Sequence, residues 1–159
     1  MAEIHFFFKS KLSQWSKSPF CVNGINYGCA EQWMMGQKAL FFGDTEAHSE
    51  IMKATHPHDQ KAWGRKVRGF DRDKWQAEAR EILYIGNLAK FQQNPEHWKV
   101  LDDTGDKLLA ESNPDDSIWG IGLPSDHPDA KLPEKWRGMN WLGEVLMRVR
   151  TQIRKERAQ

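Results

Sequence analysis

Cysteine and tyrosine are scarce in this chain of 159 residues, with two of each. Cys21 and Cys29 form no CxxC and belong to no Cys/His cluster, so the expectation is two reduced, packed thiols rather than a disulfide framework. The six histidines, His56 and His58 included, show no ligand spacing, and neither a metal nor another cofactor is expected. Charge of one sign is also missing. The net charge of +1 excludes the broad basic stripe of a general nucleic-acid binder, while leaving room for a local phosphate pocket. No apolar run has the length of a secretory leader or a membrane span, which points to a soluble cytoplasmic protein with no membrane contact. Repeats, low-complexity tracts and linkers are absent too. One domain over 1–159, with its core at about 5–153, is expected. Oligomeric state is not legible.

What the chain does have is aromatic surface, with eight Trp and eight Phe. Buried Trp needs a partner for its indole N–H, so this composition favours aromatic-lined pockets. Local signals predict an α+β domain, mostly helical, with a small N-terminal β-hairpin. Residues 4–8 read as a strand, and Asn23-Gly24 between apolar residues predicts a type I′ hairpin over 20–27. A helix carrying Glu31 follows and ends near Gly43, and Asp44 caps a second through about Ala54. His56-Pro57 opens a third, running toward Arg68, and Asp71 caps a long helix over about 73–92. That helix carries a stripe of Trp75, Ala79, Ile82, Ile85, Leu88 and Ala89. Asn94-Pro95 starts another, 107–111 reads as extended, and 112–140 as loop. The last helix, about 141–156, has the face Leu142, Val145, Leu146, Val149, Ile153.

The segment Tyr27–Ala39 sets a carboxylate and an ammonium into an apolar and aromatic helix. Glu31 and Lys38 lie two turns apart and project from the same side. Burying such charges costs several kcal/mol unless they are paired or neutralised, so they mark a candidate catalytic pair. A structural ion pair is the plainer alternative on these residues alone. A second segment, Glu111–Gly122, follows acids with Trp119 and the glycines at 120 and 122, where backbone can approach a ligand closely. Asp116 there reads equally as a turn-capping residue. Arg65, Lys66 and Arg68 suit a phosphate or simply a solvated face.

The elements S-P-F-x-V-x-G-x-x-Y, A-E-Q-x-M-M-x-x-K-A, G-R-x-V-R-G-F, G-N-L-x-K-F-x-Q-N-P, I-W-G-I-G and W-R-G-x-N-x-L-G occur in that order. Together they resemble the NADAR family, also called YbiA-like N-glycosidases, from about Phe8 to Arg150. The resemblance implies hydrolysis of an N-glycosidic bond to ribose. Its substrates would be ribosylaminopyrimidine phosphates of riboflavin synthesis, or ADP-ribose on guanine in nucleic acid. By position Glu31 matches the family's catalytic glutamate, and Trp75, Asp116 and Trp119 match residues associated with activity. Lys38, Arg65, Lys90 and Asn140 fall in the shared motifs as ligand contacts. Where many members have Ser-Asn-Phe, this chain has Ser13-Gln14-Trp15.

Breaking C1′–N puts cationic character on the sugar and negative charge on the base. Glu31 would stabilise the cation or activate water, with Asp116 as a second carboxyl or a holder of ribose hydroxyls. Trp75 and Trp119 would stack the base beside Gly120, while Arg65 and Lys66 take a phosphate. Alternatively the Lys38 amine replaces the leaving amine as a Schiff base. Contact with DNA or RNA would draw on Arg148, Arg150, Arg154, Lys155 and Arg157. A binding module for ADP-ribose or a nucleotide, without turnover, is the rival from another class.

Overall fold

The computed structural model describes residues 3–159, which divide into two compact units: Gln14–Pro95, and the chain up to Ser13 together with Glu96–Gln159. The fold is α+β and mainly helical, with the hairpin where the sequence places it.

In the unit of Gln14–Pro95, β2 (Phe20–Val22) pairs antiparallel with β3 (Ile25–Tyr27). Asn23 and Gly24 take φ of +52° and +79°, the two left-handed positions that a type I′ turn requires. Four helices follow: α1 (Ala30–Phe41), α2 (Thr45–Lys53), α3 (Pro57–Gly64) and α4 (Arg72–Gln93). The other three all pack on α1, which explains why eight of its residues are buried. Tyr27 stacks on Phe20 and meets the Trp33 indole edge-on at 5.1 Å. Trp33 lies so close to α4 that a Cβ on Gly86 would sit 2.2 Å from its Cδ1, and its Nε1–H donates to the Ile82 carbonyl at 2.8 Å.

Side chains inside this unit tie the helices together. The Gln32 amide donates to carbonyls at Ile51, Met52 and Ala54, closing the C-terminal end of α2, and its oxygen accepts from Gly28 N–H. Asp44 caps α2 through Ala47 N–H, and Asp71 caps α4 through Lys74 N–H, as their positions predict. Two expectations need correction. Helix α3 stops at Gly64 rather than running toward Arg68, whose backbone N–H goes to Asp44 instead. The buried stripe of α4 passes through Leu83, while Ile85 is 44 % exposed.

In the other unit, β1 (Ile4–Phe7) pairs parallel with β4 (Leu108–Glu111) in the register Ile4↔Leu108 to Phe7↔Glu111. Helix α5 (Pro95–Asp102) precedes β4, and α6 (Trp141–Arg157) lays Leu142, Val145, Leu146, Val149 and Ile153 into the core. Two short 3₁₀ turns, Pro128–Lys131 and Pro133–Lys135, interrupt the loop that the sequence predicts over 112–140. Among the described residues, no helix is long and apolar enough to cross a membrane.

Candidate active site

Glu31 lies in the first turn of α1 and is 4 % exposed. Its backbone N–H donates to the Gln14 carbonyl at 2.9 Å, which pins Gln14 against the helix start. Lys38, half-buried, is on the same side, as the spacing predicts. Burial pushes its amine below the ordinary lysine range; the Glu31 charge pulls it back up, and Arg65 lowers it further. These three groups therefore share one electrostatic environment. Lys38 Nζ also sits 4.5 Å from the centroid of the Phe70 ring, a cation–π contact.

Lys90, on α4, is fully buried, and burial brings its amine down to about 7; a nearby Cys29 charge opposes the shift. Burial likewise raises the Cys29 thiol, and the Glu31 carboxylate adds to that. The thiol donates to Gln60 Oε1 at 3.2 Å, so Cys29 is buried and reduced, and Cys21 is free as well. Close to this group, Asn87 donates to Gln14 Oε1 at 3.1 Å, while Gln14 Nε2 and Asn87 Oδ1 are buried without a hydrogen-bond partner among the described residues. Gln14 and Asn87 were not among the sequence candidates. The pointer to them was the departure from Ser-Asn-Phe at Ser13-Gln14-Trp15.

The basic cluster divides in two. Arg68 gives both its backbone N–H and its guanidinium to Asp44, at 2.8 to 3.2 Å, which holds the Asp44 carboxyl well below the usual carboxylate range. Arg65 and Lys66 are exposed, and Lys66 Nζ lies 5.0 Å from the Trp63 ring centroid. Trp75 is 7 % exposed and packs edge-on against Phe41 at 5.9 Å.

In the unit built on α6, Asp116 is half-buried. Its Oδ1 accepts from the backbone N–H groups of Ile118 (3.0 Å) and Trp119 (2.8 Å), the turn-capping role weighed from sequence. Trp119 meets Trp141 edge-on at 5.6 Å. The loop then runs as a ladder against the entry to α6: Asn140 N–H donates to Gly120 O, Trp141 N–H to Ile118 O and Leu142 N–H to Trp119 O. The α6 N–H groups thus find carbonyls in the candidate loop. The close approach requires Gly138, because a Cβ there would lie 2.2 Å from Gly120 O. Asn140, at φ +54°, bonds the Leu109 carbonyl and the Glu111 N–H, which ties it to β4. Among the described residues no cluster of three or more His, Cys, Asp or Glu could hold a metal.

Comparison with known proteins gives these features a context. The pattern of the NADAR domain matches residues 6–154. An N-glycosidase of Acanthamoeba polyphaga mimivirus is 41 % identical over 94 % of this chain and 88 % of its own length. An N-glycosidase of Nostoc punctiforme is 32 % identical over 86 % of this chain and 84 % of its own. Among solved structures, the NMR structure of the Escherichia coli protein YbiA superposes with a TM-score of 0.81 over 99 % of this chain and 89 % of that one; at 24 % identity this likeness speaks to the fold alone.

Proposed function

The chain belongs to the NADAR family, and on that premise we propose that it hydrolyses the C1′–N bond of a phosphorylated or ADP-linked riboside. Two curated relatives carry the name N-glycosidase, which supports a hydrolase acting on N-glycosyl bonds. The observation that carries the reading to particular residues is the buried Glu31 carboxylate in one electrostatic environment with Lys38 and Arg65. Buried carboxylate–amine pairs of this kind are disproportionately found where proton transfer or nucleophilic attack takes place.

In the direct route, Glu31 takes a proton from water as its oxygen attacks C1′. The C–N electron pair leaves with the base, which is then protonated. In the imine route, the ribosylamine ring opens. The uncharged Lys38 amine adds to C1 and the base amine leaves protonated, after which water releases the sugar from the Schiff base. Burial of the Lys38 amine, which lowers its proton affinity, is the feature that supports the second route. Borohydride added during turnover then links sugar to Lys38, and the link is absent in Lys38→Met. A substrate-dependent adduct that persists in Lys38→Met rules this route out.

A small-molecule riboside phosphate, as in riboflavin synthesis, fits better than guanine-linked ADP-ribose in nucleic acid. Of the cations that would flank a nucleic acid, Arg150 is held by Thr104 and the Lys107 carbonyl. Arg154 is held by Asp102 and Asp106, and Arg157 lies on Trp98 at 5.1 Å. Few are left for phosphates. Asp116, Trp119 and Gly120 remain proposed as substrate-handling residues of their own unit, with Asp116 as a carboxyl, and Asp116→Asn tests that kinetically. The decisive measurement is base release. Glu31→Gln should slow it by about 100-fold or more while ligand binding is kept, in line with the usual contribution of a general base. Unchanged release in that variant removes Glu31 from the mechanism; a native protein that binds and never cleaves is the binding module instead.

A further inference from the structure

The exposed aromatic rings of the α1 unit gather beside Lys38. Phe41 is 42 % and Phe70 45 % exposed, whereas Trp75 is 7 % exposed. Phe70 packs edge-on against Phe42 at 5.5 Å, Phe42 against Phe41 at 4.9 Å, and Phe41 against Trp75 at 5.9 Å. The four rings form one continuous run, buried at Trp75 and open at Phe41 and Phe70. Single exposed apolar side chains are common and need no explanation. Phe70 differs because it is held. It follows Gly69 at φ +78° and Arg68, whose backbone and guanidinium are clamped by the buried Asp44 carboxylate. Its ring also touches the Lys38 ammonium at 4.5 Å. A rigid phenyl left in water beside the site's own cation has the form of a stacking platform, preorganised so that little entropy is lost when a planar ligand arrives.

We propose that Phe70, with Phe41 on the far side of Phe42 in the same run of rings, is the surface on which the planar base of the ribosyl substrate stacks. Lys38 and Arg65 answer the negative charge of that base or its phosphate. The inference rests on the catalytic reading of Glu31 and Lys38 and adds the seat of the departing base. Trp75 becomes the buried support of Phe41, and Asp44 and Arg68 are positioning residues that hold Phe70 in place.

Equilibrium titration of Glu31→Gln with uridine 5′-monophosphate, whose base is a pyrimidine as in the favoured substrate class, and with ribose 5-phosphate separates base from sugar phosphate. Phe70→Leu, which keeps bulk and loses the π face, should weaken the nucleotide about tenfold, within the roughly 5- to 150-fold that base stacking on an aromatic ring represents. Phe70→Trp should bind it as the parent does, and ribose 5-phosphate should bind all three alike. Phe41→Leu should give the same pattern with a smaller loss. Nucleotide affinity untouched by Phe70→Leu, equal weakening of both ligands, or no nucleotide binding by any form overturns the stacking surface. If the affinities divide as stated and the native protein releases no base from any ribosylated substrate, the catalytic reading falls and the platform stands.

Discussion

In the unit built on α6, Asn140 bonds Leu109 O and Glu111 N–H, Arg150 reaches the Lys107 carbonyl and Thr104 Oγ1, and Ser112 reaches the Phe7 carbonyl. In the unit built on α1, Gln32, Asp44 and the Asn87 amide nitrogen also reach backbone, but other buried polar atoms differ. Among the described residues Gln14 Nε2 and Asn87 Oδ1 have no hydrogen-bond partner, Lys90 is fully buried, and Lys38 has its charge destabilised by burial. Polar groups answered by backbone specify a fold. Polar groups held at an energetic disadvantage beside a buried carboxylate are what a site for a charged, hydrogen-bonding substrate would need, and here they lie on α1, on α4 and at Gln14.

The largest effect expected from breaking this contrast comes from Gly86→Ala. The new methyl would lie 2.2 Å from Trp33 Cδ1 and 2.4 Å from its Nε1, so the indole must leave α4 and give up its bond to Ile82 O. Overpacking of this kind should cost about 3 kcal/mol, or roughly 6–12 °C in melting temperature for a domain of this size. Because Trp33 and Glu31 share α1, base release should fall further than stability alone accounts for. Trp33→Phe in the Gly86→Ala background should recover part of both losses. A single variant with native melting temperature and native turnover would show that the α1–α4 contact does not position the site.

Lys90 sharpens the comparison through pH. Its amine falls from the ordinary 10.5 to about 7 on folding. Between those values the unfolded chain holds a proton that the folded chain lacks, so stability should rise with pH across the window and be flat, on this account, below about 7. Denaturant titrations between pH 7 and roughly 8.5 should gain about 2 kcal/mol in the native protein. Above that range the raised Cys29 thiol works the other way, since its stabilising protonated form is lost as pH climbs. Lys90→Met should flatten the rise and be the more stable form at pH 6–7, as replacing a desolvated charge by an apolar side chain often is. Equal slopes in both proteins would mean that Lys90 keeps its proton when folded.

Much of the α1 unit was legible because its signals are local. Asp44 and Asp71 cap helices, Asn23-Gly24 turns the hairpin, and the spacing of Glu31 and Lys38 places both on one side of α1. What could not be read depends on partners distant in sequence. The β1–β4 pair joins Ile4 to Leu108, and no periodicity announces it. Helix α3 was read too long because the competitor for the Arg68 N–H is Asp44, on another helix. Ile85 was placed in the core because an apolar stripe does not reveal how wide its buried face is, and on α4 that face turns toward Leu83. In the site, Phe70 read as the end of a family motif, and its place over Lys38 follows only once the Asp44–Arg68 clamp folds the loop back.

The smallest effect belongs to Asn140→Ala, and it tests the α6 side of the contrast. The substitution removes the acceptor for Glu111 N–H and the donor for Leu109 O, and asks alanine to hold the left-handed φ of +54°. Leu109 is fully buried under α6, so only water admitted to the vacated space can replace part of what is lost. The net loss should be about 1–2 kcal/mol, or roughly 2–8 °C. Turnover per folded molecule should stay within about threefold of native, because a bond to β4 stabilises the framework and does not distinguish ground state from transition state. A drop of a hundredfold or more with melting unchanged would put the Asn140 amide on the substrate. The α6 unit would then hold its polar interior for chemistry, as is proposed for the α1 unit.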